Sequence, residues 1–294
     1  MMKWVVGKDC ANMSVRDFLR EKQSFSRRIL KSIKTDGGNI YVNGMEQKIN
    51  YRLQQGDTLA VRFPPEKKSS FMKPEPIQLN IIYEDEAILV INKRAGIATI
   101  PSVHHPSQTL ANGILAYYER NNIPFTIHIV TRLDRETSGL VLVAKHRYSH
   151  SLLSTAQING RIERYYDAIV EGNLEPSRGV IDAPIGRKEG SIIERTVRED
   201  GKRAITHYET IRHTDTLSLI RIRLETGRTH QIRVHFSAMG HPLLGDDLYG
   251  GSCDDFDRQA LHCSTIRFVH PLTKKLMKFT APLPGDMANL LSRV

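Results

Sequence analysis

One acidic residue stands between two arginines in a short polar segment of the chain. Residues 132–139 read Arg-Leu-Asp-Arg-Glu-Thr-Ser-Gly, and apolar runs lie on either side of them. Neighbouring opposite charges favour the ionised form of a carboxyl group, so we expect Asp134, between Arg132 and Arg135, to be an anion. Such a carboxylate can act as a nucleophile or general base, or it can order its loop by capping and ion pairing. The segment alone leaves both interpretations open.

Two further segments contain polar residues that could act with this carboxylate. Residues 163–172 include Tyr166, and residues 226–235 include Arg233. Taken singly, a tyrosine on a strand is usually a core or rim residue, and an arginine on a helix is usually a solvated charge. The apolar face of the helix that carries Arg233 predicts that this side chain lies near the boundary of the core.

Taken together and in this order, the three segments resemble the signature motifs of the RluA/RluD family of RNA pseudouridine synthases. Asp134, Tyr166 and Arg233 fall at the family's Asp, Tyr and Arg positions. Shorter matches lie at residues 201–208, 245–250 and 261–263, so the resemblance covers nearly the whole chain.

The resemblance implies an isomerisation of uridine, in which the uracil is detached from the ribose C1′, turned and rejoined through C5. Asp134 would be the nucleophile, and attack on the base and attack on C1′ both remain open. Arg233 is expected to pair with Asp134 and keep it ionised, and Tyr166 to stack on the base and help to remove the C5 proton. No redox step or phosphate transfer is involved, so no cofactor is implied. In agreement with this expectation, the sequence contains neither a P-loop motif nor a dinucleotide-binding fingerprint.

Three arginines near these motifs are expected to contact RNA. Arg132 is placed to fill the gap that a flipped-out uridine leaves in its helix, which offsets part of the cost of flipping. Arg135 and Arg228 are expected to bind RNA beside it. Structured RNA is the predicted partner, and ribosomal RNA of the large subunit is favoured over transfer RNA. A non-catalytic RNA-binding assembly factor is the alternative from another functional class.

Two positions depart from the family pattern. Thr131 stands where the family usually has His before the Arg-Leu-Asp run, and Arg94 stands where it usually has Pro after an Asn-Lys pair. Neither position is that of the nucleophile, so we expect activity to survive and the choice of RNA to be affected.

The elements that position these motifs can be predicted from the apolar pattern. Strands are expected over residues 87–92, 139–144, 165–170 and 217–224, with a helix over 148–158. Thr229 is expected to cap the helix that carries Arg233. Strands joined by hairpins as well as helices predict an α+β fold, with a mixed, mainly antiparallel sheet flanked by helices and loops over residues 77–294.

The first part of the chain predicts a small, separate α/β domain over residues 12–63. Ser14 and Ser26 can each begin a helix, and the second helix would expose four basic side chains, Arg27, Arg28, Lys31 and Lys34. This segment resembles an S4 RNA-binding domain, which implies RNA contact through its basic helices. A stretch with four prolines over residues 64–76 predicts an extended linker.

Composition narrows the remaining possibilities. The 294 residues carry 42 Lys and Arg against 32 Asp and Glu, a net charge of +10 that makes nucleic acid a plausible partner. The chain has no apolar run long enough to cross a bilayer and no secretory signal. The three cysteines show no metal-ligand spacing, and His146 with His150, although four residues apart, have no third ligand nearby, so no metal is expected. We therefore expect a cytoplasmic protein, without membrane contact, that acts as a monomer.

Overall fold

Two β-sheets organise the chain in the computed structural model, which describes residues 1–66, 72–103 and 105–290. The smaller sheet belongs to the N-terminal part and is antiparallel throughout, with strand order β1-β4-β2-β3. Its strands are β1 (Met2–Val5), β2 (Asn39–Val42), β3 (Met45–Glu46) and β4 (Thr58–Arg62).

Two short helical segments pack on this sheet, and serine residues cap both; Ser14 is the cap that was predicted. Ser14 accepts from the Asp17 amide ahead of α1 (Val15–Asp17), which continues as one π-helical turn to Lys22. Ser26 accepts from the Ile29 amide ahead of α2 (Arg27–Thr35). The apolar face of α2 is buried, and its basic side chains are exposed: Arg27, Arg28, Lys31 and Lys34. The S4 resemblance and the boundaries of this domain remain predictions.

The larger sheet has ten strands among the described residues and the order β10-β13-β14-β9-β15-β8-β6-β5, with β16 beside β15 and β7 beside β8. In the described ranges, β8 and β15 are the only neighbouring strands that run parallel, so the predicted mixed, mainly antiparallel sheet is confirmed. A separate hairpin consists of β11 (Ile185–Arg187) and β12 (Arg195–Val197). The strands of the larger sheet are β5 (Ile81–Glu84), β6 (Ile88–Lys93), β7 (His128–Ile129), β8 (Ser138–Ala144), β9 (Glu163–Glu171), β10 (Arg178–Asp182), β13 (Ile205–His213), β14 (Leu217–Leu224), β15 (Leu261–Val269) and β16 (Leu276–Thr280).

The remaining helices flank the larger sheet. They are α3 (Leu110–Arg120), α4 (Arg147–Ile158), α5 (Gln231–Ala238) and α6 (Gly285–Leu290). The predicted cap of α5 is wrong, because the residue before the helix is His230, in a left-handed conformation with φ +56°, and not Thr229. Gln231, the first residue of the helix, makes the hydrogen bonds instead. Its Oε1 accepts from the Arg228 amide and the Thr226 hydroxyl, which closes the loop ahead of the helix.

An aromatic cluster joins the N-terminal part to α4. The ring of Tyr148 lies 4.3 Å from that of Phe25 and 5.8 Å from that of Phe63, centroid to centroid. Its hydroxyl donates to the carbonyl of Gln23 at 2.6 Å. Tyr148 is 2% exposed and belongs to the core of the N-terminal part, so the two parts share buried apolar surface.

The described ends of the predicted linker are bonded to the larger part. Glu66 accepts from the Arg147 amide at 2.8 Å and lies 2.6 Å from Nε2 of His128. At the other end, the carbonyl of Lys73 accepts from the side-chain amide of Asn112. Residues 67–71, which include Lys67 and Lys68 of the predicted linker, lie outside the described residues.

Candidate active site

Asp134 lies in the loop between β7 and β8, with its side chain 30% exposed. Thr99 holds the loop on one side of this residue: its hydroxyl donates to the Leu133 carbonyl at 2.7 Å and accepts from the Leu133 amide. On the other side, the ammonium of the buried Lys93 donates to the Arg135 carbonyl at 3.0 Å. The backbone is therefore bonded on both sides of Asp134, while its carboxylate faces open space.

The loop leads into β8, whose second residue, Gly139, lies where β8 meets β15 in the parallel pairing. Gly139 has φ +115°, and a Cβ atom built there would lie 2.3 Å from the carbonyl oxygen of Cys263. Only glycine fits both the backbone conformation and this close approach. Ser138, the first residue of β8, adds a 2.9 Å hydrogen bond to Nδ1 of His262, so the chain is anchored to β15 directly after the loop.

Arg233 connects the nucleophile candidate to a buried carboxylate to which the motifs assigned no role. Its Nε and Nη2 donate to the two carboxylate oxygens of Asp246 at 2.7 and 2.6 Å, and its Nη1 lies 3.5 Å from Oδ2 of Asp134. Burial alone would lower the pKa of Arg233, but the hydrogen bonds and charge of Asp246 raise it above its usual value. The predicted pairing with Asp134 is present, but it is the longer of the two, and Arg233 is buried rather than at the core boundary.

Asp246 could have been found from the sequence only through its place in the shorter match at residues 245–250. Its side chain is fully buried, so a partner cation was required, and Arg233 supplies it.

His230 and Tyr249 complete the environment of Asp134. Nε2 of His230 lies 3.9 Å from Oδ2 of Asp134, and Nδ1 lies 2.8 Å from the Tyr249 hydroxyl. The Arg233 guanidinium also lies over the Tyr249 ring, with its Cζ 4.9 Å from the ring centroid. Burial lowers the pKa of His230, which favours the neutral imidazole beside Asp134.

Tyr166 lies on β9 and is 4% exposed. Burial raises the pKa of its hydroxyl well above the usual value, so the side chain remains a neutral phenol. A neutral phenol is a weak base, and this environment favours stacking over proton removal.

These side chains line one cavity of about 680 Å³. Asp134, Tyr166, His230 and Arg233 all contribute to its wall, together with the buried Arg164. Pockets of roughly 300–1,000 Å³ accommodate small organic molecules, so the volume suits one nucleotide that has left its helix.

The three arginines predicted to contact RNA beside this site also line the cavity, and all are exposed. Arg135 pairs with Glu136 at 2.9 Å, and Nε of Arg228 donates to the Arg203 carbonyl at 2.9 Å. Arg132 and Arg135, the neighbours expected to keep Asp134 ionised, form no direct ion pair with it: in the described part of the chain, the cationic and imidazole groups within 4.0 Å of its carboxylate are those of Arg233 and His230.

The two departures from the family pattern have clear positions. Thr131 is buried, and its hydroxyl accepts from the Leu142 amide at 2.9 Å, so it closes the start of the Asp134 loop against β8. Arg94 is exposed, and its carbonyl accepts from the Lys93 ammonium.

The histidines that suggested a metal site have other roles. Within residues 1–66, 72–103 and 105–290, no three His, Cys, Asp or Glu side chains converge so as to hold a metal ion. His146 is the N-cap of α4, where its Nδ1 accepts from the Ser149 amide, and His150 stacks on His128. In the same ranges no helix is long and apolar enough to cross a membrane.

Known proteins resemble this chain over most of its length. Residues 87–238 match the family model described as RNA pseudouridylate synthase. "Uncharacterized RNA pseudouridine synthase YjbO" of Bacillus subtilis (strain 168) is 50% identical over 279 residues, which is 95% of this chain and 98% of that one. "Ribosomal large subunit pseudouridine synthase D" of Escherichia coli O157:H7 is 36% identical over 267 residues, 86% of this chain and 81% of that one. Among solved structures, "Human RNA Pseudouridylate Synthase Domain Containing 1" aligns with a TM-score of 0.59 and 26% identity, over 72% of this chain and 86% of that one.

Proposed function

The chain belongs to the RNA pseudouridine synthase family of isomerases, and from this we propose that it converts specific uridines of large-subunit ribosomal RNA to pseudouridine. The observation that carries the choice of RNA is the similarity, over 86% of the chain, to an enzyme named for the ribosomal large subunit. A basic helix, α2, on the N-terminal part supports a structured RNA as the partner.

In the proposed reaction Asp134 is the nucleophile. Its carboxylate attacks either C1′ or the base, the C1′–N1 bond breaks, and the detached uracil turns within the cavity. A C1′–C5 bond then forms, and the bond between Asp134 and the substrate breaks, which restores the carboxylate. The C5 proton leaves and N1 takes up a proton, so no atom is gained or lost overall. The position of Asp134 supports this role, since its backbone is bonded on both sides while the carboxylate is 30% exposed to the cavity.

Arg233 and His230 are proposed to orient that carboxylate. The 3.5 Å contact of Arg233 places a positive charge beside the Asp134 carboxylate without the close bidentate pairing that would occupy both oxygens. Tyr166 is proposed to stack on the uracil, and its buried, neutral phenol supports contact with the base more than a role as the proton acceptor.

RNA would approach through the exposed arginines at the cavity opening. Arg132 is proposed to enter the helix in place of the flipped uridine, and Arg135 and Arg228 to bind neighbouring phosphates. On the N-terminal part, Arg27, Arg28, Lys31 and Lys34 are proposed to bind a second segment of the RNA in the manner of an S4 domain.

Action as a monomer is part of this proposal, since Asp134, Tyr166 and Arg233 of a single chain line the same cavity. The proposed substrate places the enzyme in the cytoplasm, where ribosomes assemble. Transfer RNA is the alternative substrate, because the cavity geometry would accept a flipped uridine from either RNA.

The test is a comparison of pseudouridine positions in ribosomal and transfer RNA from cells with and without the gene. We expect one or a few large-subunit positions to be lost and then restored by the wild-type gene but not by a gene encoding Asp134→Asn. Loss confined to transfer RNA would contradict the proposed substrate, and a complete map without the gene would contradict the activity.

A further inference from the structure

One cation in the cavity is buried and has no counter-ion among the residues that the structure describes. Arg164 lies on β9, two residues before Tyr166 and on the same face of the strand, and is 8% exposed. Among the described residues its guanidinium has a single hydrogen bond, from Nη2 to the Thr226 carbonyl at 3.4 Å, and its buried Nε has no partner. A buried guanidinium normally has a carboxylate partner, because removing a charge from water is costly.

The residues around this guanidinium leave room for it to point into the cavity. A Cβ atom at Gly227 would lie 2.8 Å from Nη2 and 3.1 Å from Nη1 of Arg164, so the absence of a side chain at 227 accommodates the guanidinium where it is. Arg164, Tyr166 and Gly227 all line the cavity that contains Asp134.

The cavity thus contains two kinds of arginine besides Arg233. Arg132, Arg135 and Arg228 are exposed at the opening and suit phosphates, which remain in water. Arg164 lies in the interior beside the proposed stacking residue, where a phosphate group would itself have to be buried. An anion that forms only during the reaction fits this position better.

The isomerisation produces such an anion. When the C1′–N1 bond breaks, its electron pair leaves with the uracil. The negative charge spreads over N1, O2 and O4 if Asp134 has attacked C1′, and over N1 and O2 if it has added to C6 of the base. We propose that Arg164 donates hydrogen bonds to a carbonyl oxygen of the detached uracil and stabilises its negative charge until C5 attacks C1′. This proposal rests on the isomerase activity and not on which RNA is the substrate.

A donor aimed at a charge that develops during the reaction contributes mainly to the rate and little to substrate binding. We therefore expect Arg164→Met to lower the single-turnover rate of pseudouridine formation by roughly 10²–10³-fold, the usual loss for one such donor, with unchanged affinity for the RNA. Arg164→Lys retains the charge but not the planar fork, so its rate should lie between those of the wild type and the Met variant. Gly227→Ala should also slow the reaction, because the added methyl group displaces the guanidinium without removing it.

The matched control is Arg223→Met. Arg223 pairs with Tyr165 across the β14–β9 ladder and does not line the cavity. We expect its rate and RNA affinity to equal those of the wild type.

Stability provides an independent measurement that needs no substrate. Because Arg164 is buried with one weak hydrogen bond, Arg164→Met should leave the urea midpoint of unfolding unchanged or raise it. A lower midpoint together with a lower rate would show that Arg164 supports the fold, and would overturn the proposal.

A change of leaving group tests whether Arg164 binds the uracil anion or a phosphate of the RNA. A large-subunit ribosomal RNA transcript, or a transfer RNA transcript if the wild type acts on that, is prepared with 5-fluorouridine. Its fluorine stabilises the uracil anion directly, so cleavage of the C1′–N1 bond should depend less on Arg164. The wild-type to Arg164→Met rate ratio for loss of the fluorinated nucleoside should be smaller than the ratio for uridine. Equal ratios, or a variant that loses RNA affinity at an unchanged rate, would assign Arg164 to a phosphate and overturn the proposal; a wild type inactive on both RNAs would instead contradict the proposed substrate.

Discussion

Asp246 binds the guanidinium of Arg233 through two parallel hydrogen bonds, of 2.6 and 2.7 Å, on the side that faces away from the cavity. Only the remaining nitrogen, Nη1, reaches Asp134, at 3.5 Å. Bidentate pairing is the strongest arrangement for an arginine and a carboxylate, and Arg233 forms it with the buried Asp246 and not with Asp134. The proposed nucleophile consequently keeps a nearby positive charge while its oxygens remain available for attack.

Replacing the buried acid should therefore affect the proposed nucleophile indirectly. In Asp246→Asn the guanidinium loses its charged partner and is expected to move toward Asp134, and a misplacement of about 1 Å can cost roughly 10²-fold in rate. Breaking a buried ion pair costs about 3–5 kcal/mol, and we expect the lower end because Asp134 remains within reach. Single-turnover kinetics and urea unfolding measure the two effects. The neighbouring exposed Asp247→Asn is the control, and equal effects of the two variants would contradict the role of Asp246.

The nucleophile itself is tested by Asp134→Asn. Because the amide cannot form the covalent intermediate, pseudouridine formation should fall by at least ~10⁴-fold, as for other nucleophile replacements, while the RNA still binds. Quantifying pseudouridine after nuclease digestion, together with an RNA-binding titration, checks both statements. Glu136→Gln, which removes an acid from the same loop, should retain turnover; near-normal turnover of Asp134→Asn would show that another group attacks the uridine.

The close approach at the end of this loop predicts a large loss of stability in Gly139→Ala. The added methyl group would overlap the Cys263 carbonyl and would also occupy a left-handed φ. We expect a loss of about 4 kcal/mol or more in the free energy of unfolding, the size typical of severe steric changes. Gly285→Ala, where the methyl group meets open space, is the matched control in urea titrations. Similar unfolding curves for the two variants would contradict the parallel register of β8 against β15.

The RNA contact proposed for α2 is best tested by removing charge, since deleting the N-terminal part would expose the buried ring of Tyr148. Glutamine is substituted for four residues together: Arg27, Arg28, Lys31 and Lys34. Each phosphate contact contributes roughly 0.7–0.9 to the slope of log affinity against log salt, so the slope should become shallower by up to about 3.6 if all four residues contact phosphates. The control is glutamine at Lys275 and Lys278, which are exposed near β16. An unchanged slope in the fourfold variant would exclude α2 from the RNA contact.

A pH dependence follows from the buried N-cap of α4. Burial lowers the pKa of His146 to about 4 from 6.5, so below pH 6.5 the unfolded chain binds a proton that the folded protein excludes. This contribution to stability is complete above pH 6.5 and is lost as the pH falls toward 4, by about 3 kcal/mol at most. His146→Asn retains a capping oxygen without the titration, so its free energy of unfolding should fall less between pH 6.5 and 4 than that of the wild type. His213→Asn removes an exposed imidazole as a control, and identical pH profiles for wild type and His146→Asn would refute the assignment.

Much of the fold followed from the order of apolar residues. The runs at residues 139–144 and 217–224 are long and β-branched enough to predict β8 and β14 with errors of at most one residue. The parallel pairing of β8 with β15 was not predicted. Its partners, Gly139 and Cys263, are far apart in the chain, and no local sequence pattern indicates that they pair.

In the site, too, the residues within local sequence motifs were predicted, whereas those whose roles depend on distant partners were not. Asp134, Tyr166 and Arg233 were brought together in one cavity as the motifs predicted. Asp246 and Arg164 were not assigned roles, because their roles follow from their burial and from their partners in space. Asp246 has a buried cation as its partner, whereas Arg164 has no carboxylate partner among the described residues. The cap of α5 was misplaced for a related reason, since a side chain inside the helix, Gln231, closes the loop that Thr229 was expected to close.

The aromatic cluster of Phe25, Phe63 and Tyr148 also has a consequence for how a target is chosen. Because this buried packing joins the N-terminal part to α4, helix α2 and Asp134 stand at a set separation and orientation. An RNA that binds both must present its helical contact and its reactive uridine at the matching spacing. The enzyme would then select a uridine by where it lies in the folded RNA, so that two RNAs of unrelated sequence but equal geometry would be modified alike.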